Sequence, residues 1–79
     1  MPVRLFARYA ELLGAERVLI QVPEPATVGA VLALLRAAYP AAAALPARPL
    51  VAVNLRQVPL DSAVAPGDEV ALLPPLSGG

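Results

Sequence analysis

The chain contains no cysteine, no histidine, no tryptophan and no lysine, and all six basic residues are arginine. Each absence closes a class of chemistry. Without Cys there is neither a disulfide framework nor a thiolate nucleophile. Without Cys and His the usual ligands of transition metals are gone, so no metal site is expected. His is also the commonest general base, and Lys supplies the amine of Schiff-base chemistry. Ser62, Ser77 and Thr27 therefore have no partner to activate them. No glycine-rich loop of the phosphate-cradling kinds is present.

Charge is scarce as well. Charged residues make up 15% of the chain, against roughly 25% in ordinary globular proteins. Six acids balance the six Arg, which leaves no electrostatic footprint for nucleic acid or an anionic membrane. The longest weakly apolar stretch, Ala26 to Leu35, falls far short of the ~20 residues a membrane span requires. Arg4 and Arg8 interrupt the N-terminal segment where a signal peptide needs an apolar run. The expectation is a soluble cytoplasmic protein that is no enzyme on its own.

Seventy-nine residues make one small domain. Apolar residues make up 58% of them. A core of this size supplies only a few kcal/mol, so an apolar excess includes residues that a partner covers.

The pattern along the chain reads as strand, strand, helix, strand, short strand, strand. From Pro2 to Arg8, Val3, Leu5 and Ala7 alternate with Arg4, Phe6 and Arg8. A helical turn over Tyr9 to Leu13 ends at Gly14. Val18, Ile20 and Val22 form a second alternating set, stopped by Pro23 and Pro25. Thr27 suits a helix N-cap, and Val28, Val31, Leu32 and Leu35 make one apolar stripe after it. Pro40 ends the helix, and Ala41 to Pro49 reads as a connector with a turn of helix. Leu50 to Asn54 and Arg56 to Val58 are strands joined at Asn54, which tolerates positive φ. Ala65-Pro66-Gly67-Asp68 has the residues of a type II turn. Glu69 to Leu73 is the last strand, with Val70 and Leu72 on one face and Ala71 and Leu73 on the other. One amphipathic helix on one face of a mixed sheet is an α+β solution, and it leaves the second sheet face partly open.

Asp68-Glu69, the one adjacent acidic pair, reads as a turn and a solvated strand start. Tyr9 and Tyr39 read as packing residues. What remains for chemistry is the carboxylate of Gly79. Gly78 and Gly79 lack Cβ atoms and fit a narrow channel, while Pro74 and Pro75 are stiff and project the tail from the sheet. We place the folded domain over residues 1–75 and a flexible tail over 76–79. A frayed terminus ending in Gly-Gly by chance is the competing account.

The stretch Leu5-Phe6-Ala7-Arg8-Tyr9-Ala10-Glu11-Leu12-Leu13-Gly14 resembles the opening of the MoaD/ThiS ubiquitin-like sulfur carriers. So do Ala52-Val53-Asn54 and Pro66-Gly67-Asp68-Glu69-Val70-Ala71. The ending Leu73-Pro74-Pro75-Leu76-Ser77-Gly78-Gly79 is similar to that of the small subunits of molybdopterin synthase. The resemblance spans essentially the whole chain and implies a β-grasp fold. It also implies that an ATP-dependent adenylyltransferase, similar to ubiquitin-activating enzymes, adenylates the carboxylate of Gly79. A sulfur donor protein then converts the acyl-adenylate to a thiocarboxylate, and no cofactor is bound by the carrier itself. Pro74, Pro75, Leu76, Ser77 and Gly78 would thread into the active site of the molybdopterin synthase large subunit. There the sulfur would enter the dithiolene of molybdopterin, starting from cyclic pyranopterin monophosphate.

The family docks through an apolar patch on the open sheet face, and Phe6 and Leu73 match its positions. The strand phasing puts both on the outward face; core is the competing assignment for each. The chain departs from the family at Leu55, where many members have Gly, and at Gln57, which is often apolar. Alternative functions are sulfur carriage for thiamin or tRNA thiolation, a ubiquitin-like modifier, and a binding module with an inert tail.

Overall fold

The computed structural model describes residues 1–74. Strand β1 (Pro2–Leu5) buries Val3 and Leu5 and exposes Arg4, as its alternation requires. It ends earlier than the alternation does. Leu5, Ala7 and Tyr9 share the inward phase of a strand, but Tyr9 and Leu13 also share the i, i+4 spacing of a helix, and the helix prevails. Ala7 turns the chain at φ 49°, and helix α1 (Arg8–Leu13) follows, burying Tyr9 and half-burying Leu13. Gly14 closes it in the left-handed region at φ 71°. Strand β2 (Arg17–Leu19) then returns antiparallel to β1.

Thr27 caps the main helix, α2 (Val28–Ala38), as expected: its hydroxyl oxygen accepts from the Ala30 amide at 3.2 Å. The first turn of a helix leaves its N–H groups without intrahelical partners. Here the Val28 amide donates to the Ser62 carbonyl at 3.0 Å and the Gly29 amide to that of Leu60 at 2.8 Å. A Cβ on Gly29 would stand 3.4 Å from the Leu60 oxygen, so glycine permits that close approach. The apolar stripe Val28, Val31, Leu32 and Leu35 is buried.

The connector after α2 holds a 3-10 helix (Pro40–Ala44). Arg36, in the last turn of α2, donates through its guanidinium to the carbonyls of Ala42, Leu45 and Pro46 at 3.3, 3.4 and 2.6 Å. Ala42 and Leu45 of this Ala/Pro stretch are buried in the core, and one fork of donors ties its carbonyls to α2.

Strands β4 (Leu50–Val53) and β5 (Arg56–Val58) form a hairpin, and β7 (Val70–Leu73) is the last strand among the described residues. A two-stranded sheet also forms between β3 (Ala26–Thr27) and β6 (Ala63–Val64). Two residues carry no periodicity, so the pattern gave no sign of it. The main sheet runs β2-β1-β7-β4-β5, with β1 parallel to β7 and the other neighbours antiparallel. With α2 against one face this is the β-grasp arrangement. Val3, Leu5, Val51, Val70 and Leu72 of the sheet join the stripe of α2 in one core. Burying a single such side chain contributes about 1.5–3 kcal/mol, so this layer dominates stability.

Candidate functional site

The sheet face away from α2 is fixed by register. Leu5 pairs with Leu72, and Arg4 with Ala71, across the parallel β1–β7 contact. Because successive side chains alternate, Val3, Leu5, Val70 and Leu72 face the helix, and Arg4, Ala71 and Leu73 face outward. Leu50 pairs with Leu73, Ala52 with Ala71, and Gln57 with Ala52. The outward face therefore carries Leu50 and Leu73 side by side, with a shelf of Ala52 and Ala71 next to them. Both alanines are buried, at 6% and 8% exposure, yet stand outside the main core cluster.

Phe6 and Leu73 follow directly on the paired residues Leu5 and Leu72, so the parallel register brings them to one end of this face. Phe6 is 36% exposed and Leu73 half-buried. Neither belongs to the buried core cluster. Pro74 follows at the end of β7 and is half-buried. Pro75, Leu76, Ser77, Gly78 and Gly79 lie outside the described residues.

Sequence reasoning placed Arg4 on the side of Phe6 but gave it no role. The Arg4 guanidinium lies 5.1 Å from the centre of the Phe6 ring, within range of a cation–π contact. It also forms an ion pair with Glu69 at 3.7 Å, both side chains being well exposed, so that pair contributes little to stability. The signal was available in the strand phasing, which put an aromatic and a cation on one face two residues apart.

The start of β7 is held from the side. The Asp68 carboxylate accepts from the Ala65 amide at 2.8 Å and the Asn54 side-chain amide at 2.9 Å. The Ala65 bond, and after it the Asn54 bond, hold the Asp68 carboxyl below its usual value, against a small upward push from burial. Gly67 takes φ 88° and the Asp68 amide donates back to the Ala65 carbonyl at 3.0 Å, as the turn signal predicted.

Among the described residues no three His, Cys, Asp or Glu side chains gather in a metal-holding group. No helix there is long and apolar enough to cross a membrane. What the site presents is an apolar, arginine-edged face beside a central strand that leads toward the C-terminal segment.

Comparison with known proteins gives a consistent picture. A family model described as ThiS family matches residues 3–79. Small archaeal modifier protein 1 of Haloferax volcanii is 39% identical over 90 aligned residues, covering 100% of each chain. The crystal structure of that modifier superposes with a TM-score of 0.88, at 39% identity, covering 100% of this chain and 98% of the other. The molybdopterin synthase sulfur carrier subunit of Haemophilus influenzae is 57% identical over 30 residues, which is 38% of this chain and 37% of that one.

Proposed function

This chain belongs to the ThiS family of ubiquitin-like proteins, and on that footing we propose that it is a carrier and modifier working through the activated carboxylate of Gly79. The observation that carries this reading is the full-length likeness to small archaeal modifier protein 1 in sequence and structure. The broader reading takes precedence over a molybdopterin-specific one, because the likeness to the molybdopterin synthase subunit spans 38% of the chain.

The chemistry follows from the weakness of a carboxylate as an electrophile. The Gly79 carboxylate attacks the α-phosphorus of ATP on a separate adenylyltransferase, and pyrophosphate leaves. The acyl-adenylate has AMP as a good leaving group. Attack by a sulfide-level donor forms a C–S bond and gives the thiocarboxylate. Attack by an amine of a target protein forms an amide instead. Both routes need from this chain a slim end, which Gly78 and Gly79 supply, and a surface by which the enzyme holds it. Phe6 and Leu73 on the outward face supply that surface, and Pro74 and Pro75 stiffen the approach.

A second reading is favoured by the 57% identity over 30 residues to the Haemophilus subunit. In it the chain is the small subunit of molybdopterin synthase and two thiocarboxylates in turn supply the dithiolene sulfurs. The two readings part in the cell. A modifier leaves conjugates: digestion after Glu69 would leave the branch Val70 to Gly79 on target amines, visible by tandem mass spectrometry. Finding such branches supports the modifier; their absence, with molybdopterin formed by a reconstituted large subunit, supports the second reading. A chain that the enzyme, ATP and sulfide leave unaltered is neither.

A further inference from the structure

Arg4 of β1 and Arg17 of β2 are direct cross-strand partners. Their side chains share the outward face, and like charges placed opposite each other destabilise a sheet. The Glu69 carboxylate lies 3.7 Å from Arg4, and among the described residues no ion pair relieves Arg17. Arg4 is drawn over the Phe6 ring and toward the apolar end of the face. With Phe6, Ala7, Glu16 and Glu69, the two arginines line a surface cavity of about 500 Å³. Two of the six cations of a charge-poor chain are thus set side by side at a cost to the fold, beside its one phenylalanine.

We propose that Arg4 and Arg17 receive an Asp or Glu side chain of the protein that docks on this sheet face, next to an apolar residue that packs on Phe6. Guanidinium forks match a carboxylate in a bidentate manner and hold it at a defined angle. A charged anchor beside an apolar patch is the rim-and-core pattern of a protein interface. The flanking Glu16 and Glu69 select for a single inserted carboxylate and against a phosphate chain, whose successive charges they would repel. The incoming acid takes the place of Glu69 on Arg4 and relieves Arg17. This rests on the reading that another protein binds the face, but its test does not need an activating enzyme.

The test uses the full chain, isotopically labelled, titrated with a capped peptide that carries a single Glu flanked by Leu and neutral residues, and followed by NMR. The expected result is movement of the Arg4 and Arg17 side-chain N–H signals and of the Phe6 ring, lost when Gln replaces Glu in the peptide. R17Q should reduce the affinity about threefold, the size of an exposed ion pair, while its melting temperature holds or rises because the like-charge pair is relieved. A merely structural arginine would lower both. Equal movement with inorganic phosphate in place of the peptide, movement away from Arg4 and Arg17, or none at all would each overturn the proposal. If an activating enzyme accepts the chain, R17E should raise KM about tenfold, since like charges then face each other across the interface, with kcat unchanged. An unaltered KM would also overturn it. A chain that no enzyme adenylates, but that shows the peptide response, retains this docking site while losing the proposed carrier function.

Discussion

The Asn54 side-chain amide donates to the Asp68 carboxylate at 2.9 Å across fourteen positions of sequence. The Asn54 side-chain oxygen accepts from the Glu69 amide at 3.0 Å, and the Asn54 amide donates to the Glu69 carbonyl at 2.9 Å. The tip of the β4–β5 hairpin is thereby tied to the turn that launches β7. The bonds to Asp68 favour its ionised form and lower its pKa. Stability from this group is present above the unfolded pKa, about 4, and is lost as pH falls through the lower folded value. D68N should remove this part of the acid-side decline, and N54A should shrink it by letting the folded pKa rise. Denaturant titrations at neutral pH and well below pH 4 check both; an unaltered acid decline in D68N would contradict the account.

Leu55 sits at φ 71° directly after Asn54 at φ 51°, and is 87% exposed. Two successive positive φ values mark a type I′ hairpin, which favours Asn-Gly. A leucine there has about 1–2 kcal/mol of backbone strain, and its side chain packs against almost nothing. L55G should therefore raise stability by roughly 0.5 kcal/mol, the strain relief less the added unfolded-state entropy. Thermal unfolding measures this, and a drop would show that Leu55 makes contacts that stabilise the hairpin.

Tyr9 is 4% exposed and its hydroxyl has no hydrogen-bond partner among the described residues. Leaving a buried hydroxyl unpaired costs about 1–3 kcal/mol. Y9F keeps the ring and removes the cost, so stability should hold or rise by about 1 kcal/mol. A loss of that size in equilibrium unfolding would reveal a bonded hydroxyl.

Leu72 and Leu73 are neighbours with opposite roles. Leu72 is fully buried against α2, whereas Leu73 faces outward beside Leu50. L72A should cost about 2–5 kcal/mol through the cavity it leaves. L73D should cost about 1 kcal/mol and should instead weaken docking. Comparing melting temperature with the KM of tail activation separates the two, and a melting temperature of L73D as low as that of L72A would place Leu73 in the core.

Much of this was legible in the sequence because the relevant signals are periodic or punctuated. The stripe Val28, Val31, Leu32 and Leu35, the Thr27 cap and the Gly67 turn all follow from local rules. So does the phasing that set Phe6 and Leu73 apart from Leu5 and Leu72. The end of β1 was not legible, since Leu5, Ala7 and Tyr9 keep strand phase up to a helix that tertiary packing imposes. The pairing of Ala26 and Thr27 with Ala63 and Val64 was hidden by its two-residue length. The anchoring of the connector by Arg36 depends on carbonyls six to ten residues away, and the Arg4–Arg17 opposition depends on strand register. Neither is written in any local pattern.

The central claim is that the protein acts through the carboxylate of Gly79. The most direct measurement is the intact mass of the chain after incubation with an activating enzyme, ATP and sulfide, beside a variant lacking Gly79. The account predicts an ATP-dependent mass gain equal to one oxygen-to-sulfur exchange, localised to Gly79 and absent from the folded variant. No gain in the full chain, or the same gain in the variant, would contradict it.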